Sequence, residues 1–176
     1  MRNFLSKFLR FKRDEGGFVT LEFAIMFPLL IGVFMSSVEM AFVTMQHSML
    51  ERSLDLTVRE IRLGTGTVPQ HNVIKQKICD GAPLIKNCST NLKLEMVPLN
   101  LRAWAAPNAT ADCTDVQSPA KPVRAFVAGN KNELMLLRAC AKYQPIMPNF
   151  GLGLAMRKDG SGYAAIVSMS AFVQEP

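Results

Sequence analysis

The chain has 176 residues, four cysteines and a formal net charge of +6, and 49% of its residues are hydrophobic. That length holds one domain, or an anchor and one small domain. The positive charge gives no nucleic-acid site: residues 1–17 hold five Lys or Arg against Asp14 and Glu15, a net of +3, and the remaining basic residues are scattered without a run or aromatic interleaving.

Residues 1–17 read as a basic leader. Next comes the one long apolar run, with Glu22 and Glu39 near its two ends and 16 uncharged residues between them. Nine of those are Leu, Ile, Phe or Val, together worth about −3 to −5 kcal/mol on an insertion scale. Phe18 to Val38 is 21 residues, enough to cross a hydrocarbon core of about 30 Å as a helix. Glu22 then falls in the cytoplasmic leaflet near its interface, where a bare carboxylate is costly and calls for a partner. Pro28 inside the span removes one backbone hydrogen bond and is expected to kink or loosen the helix. Arg52 is the sole Lys or Arg in the 20 residues after Val38, so the charge bias puts the N-terminus in the cytoplasm and the C-terminal part outside. A cleaved secretory signal is the rival reading. It wants a shorter apolar region and a small-x-small site, and Glu39 interrupts the window where that site would lie.

From Met40 to Leu63 the helical pattern continues but becomes amphipathic. Phe42, Val43, Met45, Met49, Leu50, Leu54, Val58 and Ile61 recur at helical steps, and Glu51, Arg52, Asp55, Arg59, Glu60 and Arg62 take the other face. Gly64 is the expected C-cap. One helix of about 45 residues is therefore predicted, half in the membrane and half able to pack on a domain. Thr67 to Asp80 reads as a short helix. Leu92–Met96 alternates apolar and charged residues, the pattern of a half-buried strand. Val123–Val127 and Glu133–Tyr143 are further strand candidates, the second also compatible with helix. Gly162–Val173 is the longest, with Tyr163, Ala165, Val167, Met169, Ala171 and Val173 on one face. The predicted fold class is α+β: a long N-terminal helix and a small C-terminal antiparallel sheet. The expected division is a leader at 1–17, the helix at 18–63 and a globular domain at 64–176.

Cys79, Cys88, Cys113 and Cys140 all fall in that last part. An even count on the non-cytoplasmic side predicts two disulfides. Three pairings are open; Cys79–Cys88 with Cys113–Cys140 closes the shorter loops and is the expected one. Four reduced, buried thiols are the alternative. Zinc is disfavoured, because there is no C-x-x-C and the two histidines are distant in sequence.

The order of basic leader, Gly17, four apolar or hydroxyl residues, Glu22 and an apolar helix resembles the processing site of type IV prepilins. The stretch Glu22-Phe23-Ala24-Ile25-Met26-Phe27-Pro28-Leu29-Leu30, with Glu39 at the far end, is similar to the TadE-like family of minor pilins or pseudopilins of the tight-adherence (Flp) pilus system. The resemblance covers residues 16–45. It implies a pilin-like architecture and cleavage by a prepilin peptidase between Gly17 and Phe18, with Gly16 a second possible site. It also implies a role in assembly for Glu22, the fifth residue of the mature chain. The new amine of Phe18 and the Glu22 carboxylate can neutralise each other within a subunit or between neighbours. Glu39 is expected to face headgroups or a partner subunit. The implied partners are the peptidase, other pilins or pseudopilins, an inner-membrane pilus platform and membrane lipid. A pseudopilin of a type II secretion system is the second reading. An uncleaved single-pass anchor for a periplasmic binding or enzymatic domain is the third.

An enzyme finds no support. His47 and His71 lack Ser, Cys or Asp signatures around them. Gly151-Leu152-Gly153 lacks the third glycine and strand–helix context of a dinucleotide loop. Trp104 and Phe126 are expected in the core. The chain presents no catalytic residue, metal site or cofactor motif.

Overall fold

The computed structural model describes residues 17–63, 70–114 and 126–175. The leader up to Gly16, the expected cap at Gly64, residues 67–69 of the expected short helix and residues 123–125 of the expected second strand lie outside these. Helix α1 spans Phe18–Leu63 and carries Pro28 within it. After it come α2 (His71–Gly81), α3 (Cys88–Asn91), β1 (Leu92–Pro98), β2 (Leu134–Tyr143), α4 (Gly151–Ala155) and β3 (Ala164–Val173). The strands form one antiparallel sheet in the order β1-β2-β3. The architecture is thus α+β, a long helix followed by a small antiparallel sheet.

The first half of α1 is exposed: an 18-residue window with a mean hydropathy of 2.2 has none of its residues buried. The second half packs on the sheet. Its buried residues are Glu39, Gln46, Leu50, Ser53, Leu54, Thr57, Val58 and Ile61, which recur every three or four positions and so share one face. This stripe is rotated from the expected one. Phe42 and Met45 are about half exposed, and Gln46, Ser53 and Thr57 take inner places instead. At Ser53 a small polar residue wins because another element comes too close for a large one. Ser53 Oγ donates to Ile78 O of α2 at 2.8 Å, and a Cβ on Gly81 would stand 2.4 Å from that same oxygen.

Register places Leu92, Leu94 and Met96 beside Ala141, Ala139 and Leu137, and those beside Ile166, Ser168 and Ser170. Directly opposed residues share a sheet face, and the apolar members of this set form the core with Leu50, Leu54, Val58, Ile74 and Ile78. On β3 the buried positions are therefore Ala164, Ile166, Ser168 and Phe172. The row that holds Met169 and Val173 is the outer one: Met169 is 64% exposed and Val173 46%. Both rows of β3 are largely apolar or small, so hydrophobicity alone does not tell which one is inside.

The second sheet face is also covered, over β1 and β2. Lys93, Glu95 and Arg138 are all buried. Lys93 Nζ lies 3.1 Å from Asp112 Oδ2, and Arg138 Nη1 donates to Asn108 O at 2.8 Å and reaches Glu95 Oε2 at 3.5 Å. The strand expected to be half buried is buried on both sides, and its charges are accommodated by pairing. Cysteine pairs Cys79–Cys88 and Cys113–Cys140 are disulfides. The first ties α2 to α3, and the second ties the segment that carries Asp112 to β2. Phe126 bridges to Met96 and meets His71 edge-on at 5.0 Å. Trp104, expected in the core, is 61% exposed, because the chain after β1 passes over the sheet as a covering segment.

Candidate functional site

Strand β3 runs alongside α1. His47 Nε2 donates to Val167 O at 3.1 Å, and Gln174 Nε2 donates to Ile61 O at 3.3 Å. Fourteen helical steps and seven extended ones both cover about 21–23 Å. The sheet therefore has a distal end, near Leu63, and a base, where β2 ends at Tyr143 and β3 begins at Ala164. The base meets α1 where the apolar run stops.

Glu39 sits at that junction and is 2% exposed. Its Oε1 accepts the N–H of Ile146 at 3.2 Å and its Oε2 the N–H of Met147 at 3.1 Å. The sequence reading turned this carboxylate toward headgroups or a neighbour; in the structure it turns inward and holds the loop after β2. A carboxylate that accepts two consecutive backbone N–H groups forms charge-assisted bonds, stronger than neutral ones. Nearby Tyr143 has its phenol pushed up to about 12, by burial first and by the Glu39 charge second.

The same loop descends along α1 toward the apolar run. Phe150 packs on Gly32, where an added Cβ would lie 3.4 Å from its ring. Gly151 has φ of +53°, and a Cβ on it would stand 2.4 Å from Ser36 Oγ, so both the backbone conformation and the close approach require glycine. Ser36 Oγ is itself satisfied by donating to Gly32 O at 2.8 Å. Lys158 closes the loop from the other side, its Nζ donating to Pro148 O at 2.5 Å and Gly153 O at 2.6 Å. Behind it, Asp159 Oδ2 meets Lys142 Nζ at 2.9 Å, and Oδ1 accepts the N–H groups of Ser161 and Tyr163 at 3.0 and 2.9 Å. Burial pushes the Asp159 carboxyl up, but the hydrogen bonds from Lys142, Tyr163 and Ser161 and the lysine charge outweigh it and hold the group below its ordinary range.

Above the junction lies a cleft of about 350 Å³ between Phe42, Gln46, Lys86, Tyr143 and Tyr163. Gln46 Nε2 donates to Leu84 O at 3.2 Å, and its Oε1 is buried without a partner among the described residues. Elsewhere on α1, Met40, Ala41, Thr44, Met45 and Ser48 are exposed and line a shallow, mainly apolar surface.

The other residues singled out from sequence stand apart from this junction. Gly17 and Phe18 are exposed at the start of the helix, with open space where a Gly17 Cβ would be. Glu22 is exposed. It is 17 residues before Glu39, about 25 Å along the axis, so the two acids belong to different ends of the span. Among the described residues no group of three His, Cys, Asp or Glu side chains could hold a metal ion. Ile146, Met147, Lys158 and Asp159 were not anticipated. The segment 144–153 reads as a Pro- and Asn-rich link, and the two bonds Glu39 makes are to backbone atoms, which leave no trace in residue type.

A protein-family model described as TadE, TadE-like protein, matches residues 17–59. No curated protein and no solved structure matches the chain significantly. The match begins at Gly17, takes in Glu22, Pro28 and Glu39, and ends within the half of α1 that packs on the sheet.

Proposed function

We propose that this chain is a minor pilin or pseudopilin precursor that acts in assembly of a tight-adherence (Flp) pilus. The observation that carries the reading is the TadE-like match over residues 17–59. It coincides with a 46-residue helix that carries an apolar 18-residue window with no buried residue. An apolar stretch of that length without a buried residue needs a bilayer or other helices around it. The chain is inserted with its basic leader in the cytoplasm and its domain on the far side of the inner membrane. A prepilin peptidase cuts between Gly17 and Phe18. The mature chain then works by packing rather than catalysis, its helix against those of other pilins and the membrane platform. The Phe18 amine and Glu22 supply register, since each charge lowers the desolvation cost of the other. The exposed row of Met40, Ala41, Thr44, Met45 and Ser48 extends the packing surface past the bilayer.

The test is the N-terminal residue and mass of the membrane-extracted protein, made with and without a prepilin peptidase. A chain that starts at Phe18 only when the peptidase is present supports the reading. One that keeps its basic leader in peptidase-positive cells overturns it.

A further inference from the structure

The loop around α4 has an unusual place for part of an extramembrane domain. It packs on Gly32 and Ser36, which lie inside the apolar run rather than beyond it. If Val38 marks the end of the span, Gly32 is about 9 Å inside that boundary and Ser36 about 3 Å. The helix face formed by Ile31, Gly32, Met35 and Ser36 is half-buried, whereas Val33 and Phe34 beside it are exposed. The domain thus reaches down one side of the membrane-spanning segment. The loop leaves Ile146, Phe150 and Leu154 exposed by 50%, 50% and 63%, the Phe150 ring with one edge against Gly32.

A segment at that depth can lie against lipid only if its backbone polar groups are satisfied within the protein. Here several are. Glu39 takes the N–H groups of Ile146 and Met147, and Lys158 fills the carbonyls of Pro148 and Gly153. The Phe150 N–H donates to Met147 O, Leu154 to Phe150 O and Met156 to Leu152 O. Two charged side chains are thereby committed to backbone groups, while three large apolar side chains are left outside. That is the reverse of what an aqueous loop needs, and it suits the headgroup–acyl boundary, where interfacial helices sit about 5–10 Å deep.

We infer that residues 146–154 form a second membrane contact, inserted into the outer edge of the same leaflet that α1 leaves, with Ile146, Phe150 and Leu154 facing lipid. The exposed apolar surface is continuous with the span itself, which decides for lipid over a partner chain. The contact fixes the domain's height and tilt on the membrane before any assembly partner arrives. The inference rests on the membrane anchoring in the proposed function, and is independent of peptidase processing.

The test uses the one tryptophan of the chain. Trp104 is exposed on the domain and serves as the aqueous reference. In a Trp104→Phe background, Phe150→Trp, Leu154→Trp and Phe23→Trp each place a single probe in the full chain. Each protein is reconstituted into phosphatidylcholine–phosphatidylglycerol vesicles. Quenching is read with iodide in the water and with lipids brominated near either end of the acyl chain. The expected result at 150 and 154 is quenching by bromines at the glycerol end, with iodide about fivefold less effective than on Trp104. Iodide access equal to that of Trp104 without bromolipid quenching overturns the inference. Protection from iodide without bromolipid quenching also overturns it, since the cover is then another chain. The Phe23→Trp probe separates the two premises. If bromolipid quenches it and not the probes at 150 and 154, the span stands and the loop contact fails. If none is quenched, the anchoring itself fails.

Discussion

Two acids flank the apolar run, and their residue types give no hint that one is buried and one exposed. Glu39 is spent inside the protein, where its two oxygens hold the N–H groups of Ile146 and Met147. Removing an acceptor leaves each donor unpaired at about 1–3 kcal/mol. Glu39→Ala should therefore destabilise the domain by about 3 kcal/mol, with Glu39→Gln, which keeps one acceptor, losing about half as much. Denaturant midpoints of the detergent-extracted chain measure this, and loss of protection of the 146–154 amides from hydrogen exchange locates it. Asp159 offers a pH-dependent counterpart. Its carboxyl is held below the ordinary value in the folded chain. It therefore contributes stability that is complete above the unfolded value of about 3.9 and is lost as pH falls through the folded one. Melts at neutral pH and on descent below pH 4 should show Asp159→Asn less stable than wild type at neutrality, with the gap closing in acid. A gap that stays constant would mean that the contacts matter and the charge does not.

At the scale of elements, the long helix, its continuation past Glu39 and the strand pairs are legible because each rests on periodicity over many residues. What periodicity does not carry is which face wins. Leu92–Met96 alternates cleanly, but the charged row is also buried, because residues outside the strand bring Asp112 and the Asn108 carbonyl to Lys93 and Arg138. On β3 the inner row contains Ser168 and Ser170, the outer row only apolar or small residues. The less hydrophobic row is inside because its neighbours Ala139 and Ala141 make a shallow surface on which α1 can lie close. The cover over the charged row is held by Cys113–Cys140, a separation of 27 residues. Loop closure alone makes such a cross-link worth about 3.6 kcal/mol, against about 2.7 for the shorter Cys79–Cys88 loop. The covering segment also shields Lys93, Glu95 and Arg138, whose pairs weaken if water enters. Replacing Cys113 and Cys140 together with Ser should thus cost more, relative to the Cys79/Cys88 double replacement, than the difference of about 0.9 kcal/mol from loop length. Denaturant midpoints of the two variants provide the comparison. Equal losses would mean that the charged layer keeps its order without the cross-link.

For the molecule as a whole, the two ends of the apolar run divide the labour. At the far end Glu39, the descending loop and the base of the sheet lock the domain to α1 within one chain. At the near end Glu22 is exposed, 17 residues away, among residues that are all exposed from Gly17 to Leu30. A carboxylate that makes no contribution to its own fold can be placed in apolar surroundings only by what it gains from another group, and the Phe18 amine of a processed chain is such a group. The two substitutions should therefore separate folding from assembly. Glu22→Ala should leave the denaturant midpoint within about 0.5 kcal/mol of wild type, the range of a surface change, and leave the disulfides formed, yet abolish piliation scored by shear yield or electron microscopy. Glu39→Ala should lower both stability and piliation. The discriminating control is rescue: conditions that restore folding, such as lower temperature, should recover piliation for Glu39→Ala and not for Glu22→Ala. Normal piliation of the Glu22→Ala chain would remove the charge pair from the assembly step and leave shape alone, the uncovered helix face from Phe18 to Ser48, to set how neighbouring subunits meet.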